Sequence, residues 1–257
     1  MRCKFILHFL LLSSLVFTSC INQKKSIYFQ NSIDSLQHAA IPMAPFEEIR
    51  IQKKDVLYVN IQTLDPQSNA LVSLSGSSAS GSQAGPFSTY VVNNEGFVEF
   101  PLIGKLKLEG LTTSEAQKAM TGKFTEYYKN PIVNVRFAYI NVSVVGEVNK
   151  PGLIQMTNER PTLFDAIASA GDLTIFGKRE NVVLVREIDG QKKFVRFDLN
   201  SADVFRSPYY YLRQNDIIYV EPNKNRIRSS DVATVRTLSI LSTLTTIVVV
   251  IVSRINF

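Results

Sequence analysis

The chain has 257 residues, enough for two modest domains or one large one, and its 45% hydrophobic and 19% charged residues describe a folded protein. Its only cysteines are Cys3 and Cys20 and its only histidines His8 and His38, so loss of an N-terminal export signal leaves no disulfide framework, no Cys/His zinc site and no two-histidine site. The formal charge of +6 falls to +4 when Arg2 and Lys4 leave with that signal, too weak a bias to point to nucleic acid.

Residues 1–19 have the order of a secretory signal: Arg2 and Lys4, an apolar stretch, then the small residues Thr18 and Ser19. Cys20 directly after them fits a lipobox, in which the thiol is acylated and becomes the new N-terminus; the alternatives are an ordinary signal with a leftover thiol and an uncleaved anchor. Residues 20–47 read as an extended lead-in punctuated by Pro42 and Pro45. Ile49–Gln62 alternates apolar and polar residues, the period of half-buried strands. Seven serines and three glycines over 73–88 make a flexible loop, with no GK[ST] to suggest a phosphate cradle. Val91–Phe100 reads as a hairpin around Asn93-Asn94-Glu95-Gly96. Thr112-x-x-Glu115 is a capping box opening a helix to about Tyr128, stopped by Asn130-Pro131, and Ile132–Phe137 returns as a strand.

A second unit follows. Asn141–Val148 and Gly152–Met156 form a hairpin across Asn149-Lys150-Pro151-Gly152, with Gly146, Pro151 and Gly152 read as turn chemistry. Pro161–Ala170 is a short helix closed by Gly171. Asn181–Glu187 and Lys193–Asp198 pair around Asp189-Gly190, and Ile217–Val220 is a last strand. This ββαββ order with an added strand suits a β-grasp module.

At the C-terminus, 17 uncharged residues lie between Arg236 and Arg254. As a helix they span about 25 Å, marginal for a ~30 Å hydrocarbon core. Seven of them are Ser or Thr, and Ser242, Thr243, Thr246 and Ser253 fall within about 60° of Ser239 on a helical wheel, opposite an aliphatic half. The stripe fits a single spanning helix whose hydroxyls bond their own backbone. It equally fits a helix packing against copies of itself, in the extreme as a ring with a hydroxyl-lined lumen. Lys224, Arg226, Arg228 and Arg236 form a basic collar before it, suited to anionic headgroups or to an acidic polysaccharide.

No catalytic constellation emerges. His38 lies in the lead-in with no G-x-S-x-G nearby; Asp55, Glu95 and Glu99 read as solvated carboxylates near strands; no metal spacing and no cofactor motif occurs. Tyr209, Tyr210 and Tyr211 are sheet core or edge residues, or a platform for sugar stacking.

The runs NNEGFVEFPLIGKLKLEGLTTSEAQKAM, YYKNPIVNVRF, VVGEVNKPGLIQM, TLFDAIASAGDLT and LRQNDIIYVEP resemble, in order, the polysaccharide export lipoproteins of the Wza family. The resemblance spans about Ile49–Pro222 and implies an export domain over 48–138, a soluble-ligand-binding β-grasp (SLBB) domain over 139–223, and a basic linker with a membrane helix over 224–257. The expected fold class is therefore α+β in two small periplasmic modules plus a C-terminal transmembrane α-helix. The expected function is a non-catalytic outer-membrane channel subunit for capsular polysaccharide or exopolysaccharide. As implied partners come a homo-oligomeric ring, the polysaccharide, membrane lipid and an inner-membrane co-polymerase of tyrosine-kinase type. Ile21, not Asp, after Cys20 fits sorting to the outer membrane, with the bulk periplasmic and the C-terminus at the cell surface. Two other readings stand: a membrane-tethered periplasmic glycan-binding lipoprotein that forms no pore, and a structural protein bridging two membranes.

Overall fold

The computed structural model describes residues 27–30, 40–63, 88–101 and 103–229, with helical positions 239–240, 242–247, 250–251 and 254 beyond them. The export signal, Cys20, His38, most of the Ser/Gly loop, Arg236, Ser253 and the Arg228 side chain lie outside the described set.

The first module is built on β1 (Val56–Gln62), whose alternation points Leu57, Val59 and Ile61 inward. It is the middle strand of an antiparallel sheet ordered β2-β1-β5, with β2 at Ser88–Val91 and β5 at Ile132–Phe137. Helix α1 (Thr113–Phe124) covers this sheet with Ala116, Met120 and Phe124, spaced i, i+4, i+8 on one face. Its capping box forms as expected: Glu115 N donates to Thr112 Oγ1 and Thr112 N to Glu115 Oε2. The helix stops at Phe124, one turn short of the expected Tyr128. Thr121 and Thr125 hydroxyls bond carbonyls one turn back, and the amides of Tyr127 and Tyr128 both converge on the Phe124 carbonyl. Such converging bonds tighten and close a helix end.

The hairpin expected over Val91–Phe100 is corrected. Its turn exists, with Asn93 Oδ1 accepting from the amides of Glu95 and Phe97 at 2.9 Å and Gly96 at φ +86. But β2 pairs with β1, whereas β3 (Phe97–Phe100) pairs with β4 (Gly104–Lys107) in a separate ribbon. The turn swings the chain so that Val92 and Val98 enter one core while each strand finds a different partner. The isolated residues Ile49–Ile51, read as strand, contribute only the bridge of Arg50 to Thr112.

In the second module β6 (Ile140–Gly146) and β7 (Gly152–Met156) form the expected hairpin. Helix α2 (Leu163–Ser169) carries a second capping box, Thr162 with Asp165, and ends before Gly171 at φ +74. Strands β8 (Gly177–Ile188) and β9 (Gln191–Phe197) are joined through Asp189 and Gly190 at φ +51 and +73, the two left-handed residues of a tight hairpin. A 3-10 turn, Ala202–Arg206, leads back to β10 (Asp216–Pro222). The sheet order is β7-β6-β10-β8-β9, with β10 parallel to β6 and antiparallel to β8. This central parallel pair, with α2 on one face, is the β-grasp arrangement that the element order suggested.

Two buried features hold β10 in place. Arg186 donates Nε and Nη2 to the two Asp216 oxygens at 2.9 and 2.6 Å, and both side chains are almost wholly buried. Gly146, at φ +95, lets β6 approach β10: a Cβ there would press into the Val220 carbonyl. Its glycine serves this approach of strands as well as the turn.

The lead-in is a strap across the second module. Phe29 N donates to the Leu199 carbonyl, Ala44 N to that of Phe205, and Arg213 Nη2 to Glu47 Oε2 at 2.6 Å. Phe29 packs with Phe164 and Phe205, and Phe46 meets Tyr211 edge-on at 5.1 Å. Ile49 belongs to the second module's core before the chain enters β1.

Candidate functional site

The basic segment starts where β10 ends, as a short helix α3 (Lys224–Ser229) whose first turn is held by Asn223 Oδ1 accepting from the amides of Asn225 and Arg226. Of the collar, Lys224 is exposed. Arg226 instead donates Nε to Glu147 Oε1 at 2.9 Å, with its guanidinium 5.7 Å from the Phe176 ring centroid. Glu147 also accepts from Thr174 Oγ1 at 2.7 Å. So the collar begins tied to the loops beside it, rather than as four equivalent open cations.

Further along, Ser239, Ser242, Thr243 and Thr246 lie at helical positions. Ser242 Oγ donates to the Ser239 carbonyl at 2.8 Å, Thr243 Oγ1 to those of Ser239 and Ile240 at 3.1 and 2.8 Å, and Thr246 Oγ1 to that of Ser242 at 2.7 Å. The protons of Ser242, Thr243 and Thr246 are thus spent inside the helix, and a hydroxyl oxygen that donates its proton keeps acceptor capacity. Ile240, Leu244, Ile247 and Ile251 are about half exposed on the single chain. Among the described residues no helix is long and apolar enough to cross a membrane.

The carboxylates weighed for catalysis are dispersed. Glu95 and Glu99 are exposed. Asp55, expected on a solvated face, is instead 2% exposed, and its Oδ2 accepts from Gln52 N at 2.7 Å to close the turn before β1. Burial pushes its carboxyl up to about 6, against the lowering effect of that amide. Among the described residues no group of three or more His, Cys, Asp or Glu is placed to hold a metal ion. The three tyrosines form no open platform: Tyr210 is buried with Phe164 and Phe205, Tyr209 covers Arg186 and Lys193, and Tyr211 meets Phe46.

Sequence reading missed two constellations. One is a cleft of about 490 Å³ between the modules. Its floor is Ile49, Phe137 and Met156, and its walls carry Glu48, Arg136, Asn158, Glu159 and Arg160, the last lying 4.9 Å over the Phe46 ring. It falls within the ~300–1,000 Å³ range of ligand clefts. The other is Tyr28, whose hydroxyl donates to Asp172 and whose ring lies 5.0 Å from the buried Arg179 guanidinium. Burial first, then Asp172, holds the Tyr28 phenol well above its usual range. Both assemble residues far apart in sequence, so no local motif announces them.

Comparison with known proteins follows these two modules. Residues 44–138 match the family model described as polysaccharide biosynthesis/export protein, and residues 141–220 match the SLBB domain. The chain is similar to the EPS I polysaccharide export outer membrane protein EpsA of Ralstonia solanacearum, 30% identical over 147 residues, or 53% of this chain and 37% of that protein. The corresponding protein of Ralstonia nicotianae is 34% identical over 103 residues, 38% of this chain and 27% of that protein. The matched stretches thus span about a third of these relatives' length.

Proposed function

The chain belongs to the polysaccharide biosynthesis/export family, and on that premise we propose that it is a subunit of an outer-membrane ring through which a capsular polysaccharide or exopolysaccharide leaves the cell, without catalysis. The observation that carries the reading is the succession of an export domain, an SLBB β-grasp and an apolar segment striped with hydroxyls. In this reading Cys20 is acylated, residues 48–138 and 139–223 are the two periplasmic domains, and the C-terminal segment crosses the membrane as one of a ring of helices. An inner-membrane co-polymerase hands on the polymer from below.

The lumen would be lined by Ser239, Ser242, Thr243, Thr246 and Ser253. Hydroxyls already donating to their own helix offer acceptor oxygens, so the polymer's hydroxyls donate to the wall and exchange partners without a deep trap. The aliphatic half faces lipid. The aliphatic half and the hydroxyl stripe together satisfy a helix with hydrocarbon on one side and water on the other.

An epitope placed after Phe257 tests the crossing. Antibody labelling on intact cells, with a periplasmic marker still protected, is the expected result; labelling only after permeabilisation would refute a complete crossing. Replacing the five lumen hydroxyls with leucine is expected to stop export while the assembly forms normally, and unimpaired export would refute the lumen assignment.

The interdomain cleft favours a second reading, a tethered lipoprotein that holds a glycan and forms no pore. Its mark would be a monomer in detergent that binds oligosaccharide, with polymer still reaching the surface when the gene is removed.

A further inference from the structure

Both arms of the chain leave the second module at one place. On the N-terminal arm, Tyr28 donates to Asp172. At the end of β10, Asn223 donates its backbone amide to the Phe176 carbonyl at 2.8 Å and its side-chain amide to that of Ile175 at 3.5 Å. Asp172, Ile175 and Phe176 belong to the single loop between α2 and β8. That loop is fastened to the β6–β7 turn, with Asn149 N donating to the Asp172 carbonyl at 3.0 Å and Lys150 N to that of Ala170 at 2.8 Å. The two turns form one pole of the module.

The pole has its own chemistry. Ile175, at 76%, is the most exposed large apolar side chain among the described residues. Lys150, whose amide bonds the Ala170 carbonyl of the same loop, and Lys224, next to Asn223, are exposed. The acids of the pole are already engaged: Glu147 by Arg226 and Thr174, Asp172 by Tyr28, and Glu221 by Lys178 and Asn181. An apolar tip flanked by lysines, with its carboxylates paired, suits the headgroup region of an anionic bilayer.

Covalent geometry limits how far the pole can sit from that bilayer. Cys20 precedes Tyr28 by eight residues, so the two Cα atoms lie within about 29 Å of each other whatever path joins them. We infer that this pole, with Ile175 at its tip and Lys150 and Lys224 beside it, rests on the headgroups of one membrane that takes both the acyl anchor and the C-terminal helix. The inference rests on the lipid anchor and membrane helix of the proposed function. It removes the two-membrane bridge, in which anchor and helix would leave from opposite poles.

The test uses the full acylated chain in vesicles of phosphatidylethanolamine and phosphatidylglycerol, carrying an environment-sensitive nitrobenzoxadiazole label at one introduced cysteine. Ile175→Cys is the probe, Phe194→Cys on β9 the aqueous control, and Leu244→Cys the control within the C-terminal helix. The label at 175 is expected to emit further to the blue than that at 194, with a several-fold lower iodide quenching constant. Transfer of the protein to amphipol is expected to abolish that difference. Equal quenching at 175 and 194 with a protected 244 would overturn the pole assignment alone. Open labels at both 175 and 244 would overturn the membrane helix with it. A difference that survives in amphipol would place a neighbouring protein copy, not lipid, on Ile175.

Discussion

Replacing Asp216 by Asn tests whether the β-grasp sheet is keyed to one buried ion pair. The Asp216 carboxylate accepts Arg186 Nε at 2.9 Å, Arg186 Nη2 at 2.6 Å and Arg213 N at 2.8 Å. Arg186 also donates Nη2 to the Tyr211 carbonyl at 2.7 Å and lies 5.4 Å from the Tyr209 ring centroid. With Asn, one acceptor becomes an NH₂ facing a guanidinium N–H, and the cation, 4% exposed, keeps its charge without a counter-charge. Breaking a buried pair from one side costs about 3–5 kcal/mol, against a total stability of roughly 5–15 kcal/mol. Urea unfolding of the full chain in detergent, followed by far-UV circular dichroism because the chain has no tryptophan, should show a loss in that range. The apolar double replacement Arg186→Leu with Asp216→Leu should recover much of it, since no unpaired charge then remains. A loss under about 1 kcal/mol for Asp216→Asn, or a double variant as weak as the single, would refute the argument.

Gly146→Ala forces a Cβ against the Val220 backbone at φ +95 and should cost about 2–4 kcal/mol from strain and lost ladder bonds; an unchanged urea midpoint would count against the strand-approach role. Asp55 gives a pH signature. Its folded-state carboxyl is raised from 3.8 to about 6, so the folded state holds the proton more tightly. Its stabilising contribution is complete below about pH 4 and is lost as pH rises through about 6, a change of about 3 kcal/mol. Asp55→Asn should therefore gain on the native protein between those limits and hold level above them; parallel pH profiles of unfolding would contradict this. Thr112→Ala removes the acceptor of the α1 capping box and should cost about 1 kcal/mol by the same unfolding assay, with no change arguing that the cap contributes nothing.

Local chemistry was readable in the sequence where the structure itself is local. Thr112 and Glu115 announced α1, Asp189-Gly190 announced the β8–β9 hairpin, and the alternation Leu57, Val59, Ile61 gave an inward face. Reading failed where partners are distant, and at two short segments, the end of α1 and the turn before β1, where backbone geometry decides. Nothing near Asn93–Gly96 says that β2 will choose β1 while β3 chooses β4, because that choice is made by the shared burial of Val92 and Val98. The end of α1 depended on the Phe124 carbonyl taking two amides, a feature of geometry rather than composition. Asp55 looked like a surface acid because its turn partner Gln52 gives no hydrophobic signal. The cleft draws on the lead-in, α1, β5 and the segment after β7, four stretches with no common motif. The hydroxyl stripe was legible from its spacing, whereas the acceptors its protons take are carbonyls about one turn back on the same helix.

The strap of the lead-in carries a consequence for the order of events during biogenesis. Tyr28 and Asp172 are 144 residues apart, and Phe29 waits on Leu199 and Phe205, still later in the chain. A polypeptide delivered N-terminus first therefore presents these two aromatic residues long before their groove exists. Their docking is a late step that reports completion of the second module. A chain truncated before Leu199 keeps Tyr28 and Phe29 without that groove, so the same contact that straps the second module also distinguishes finished subunits from unfinished ones.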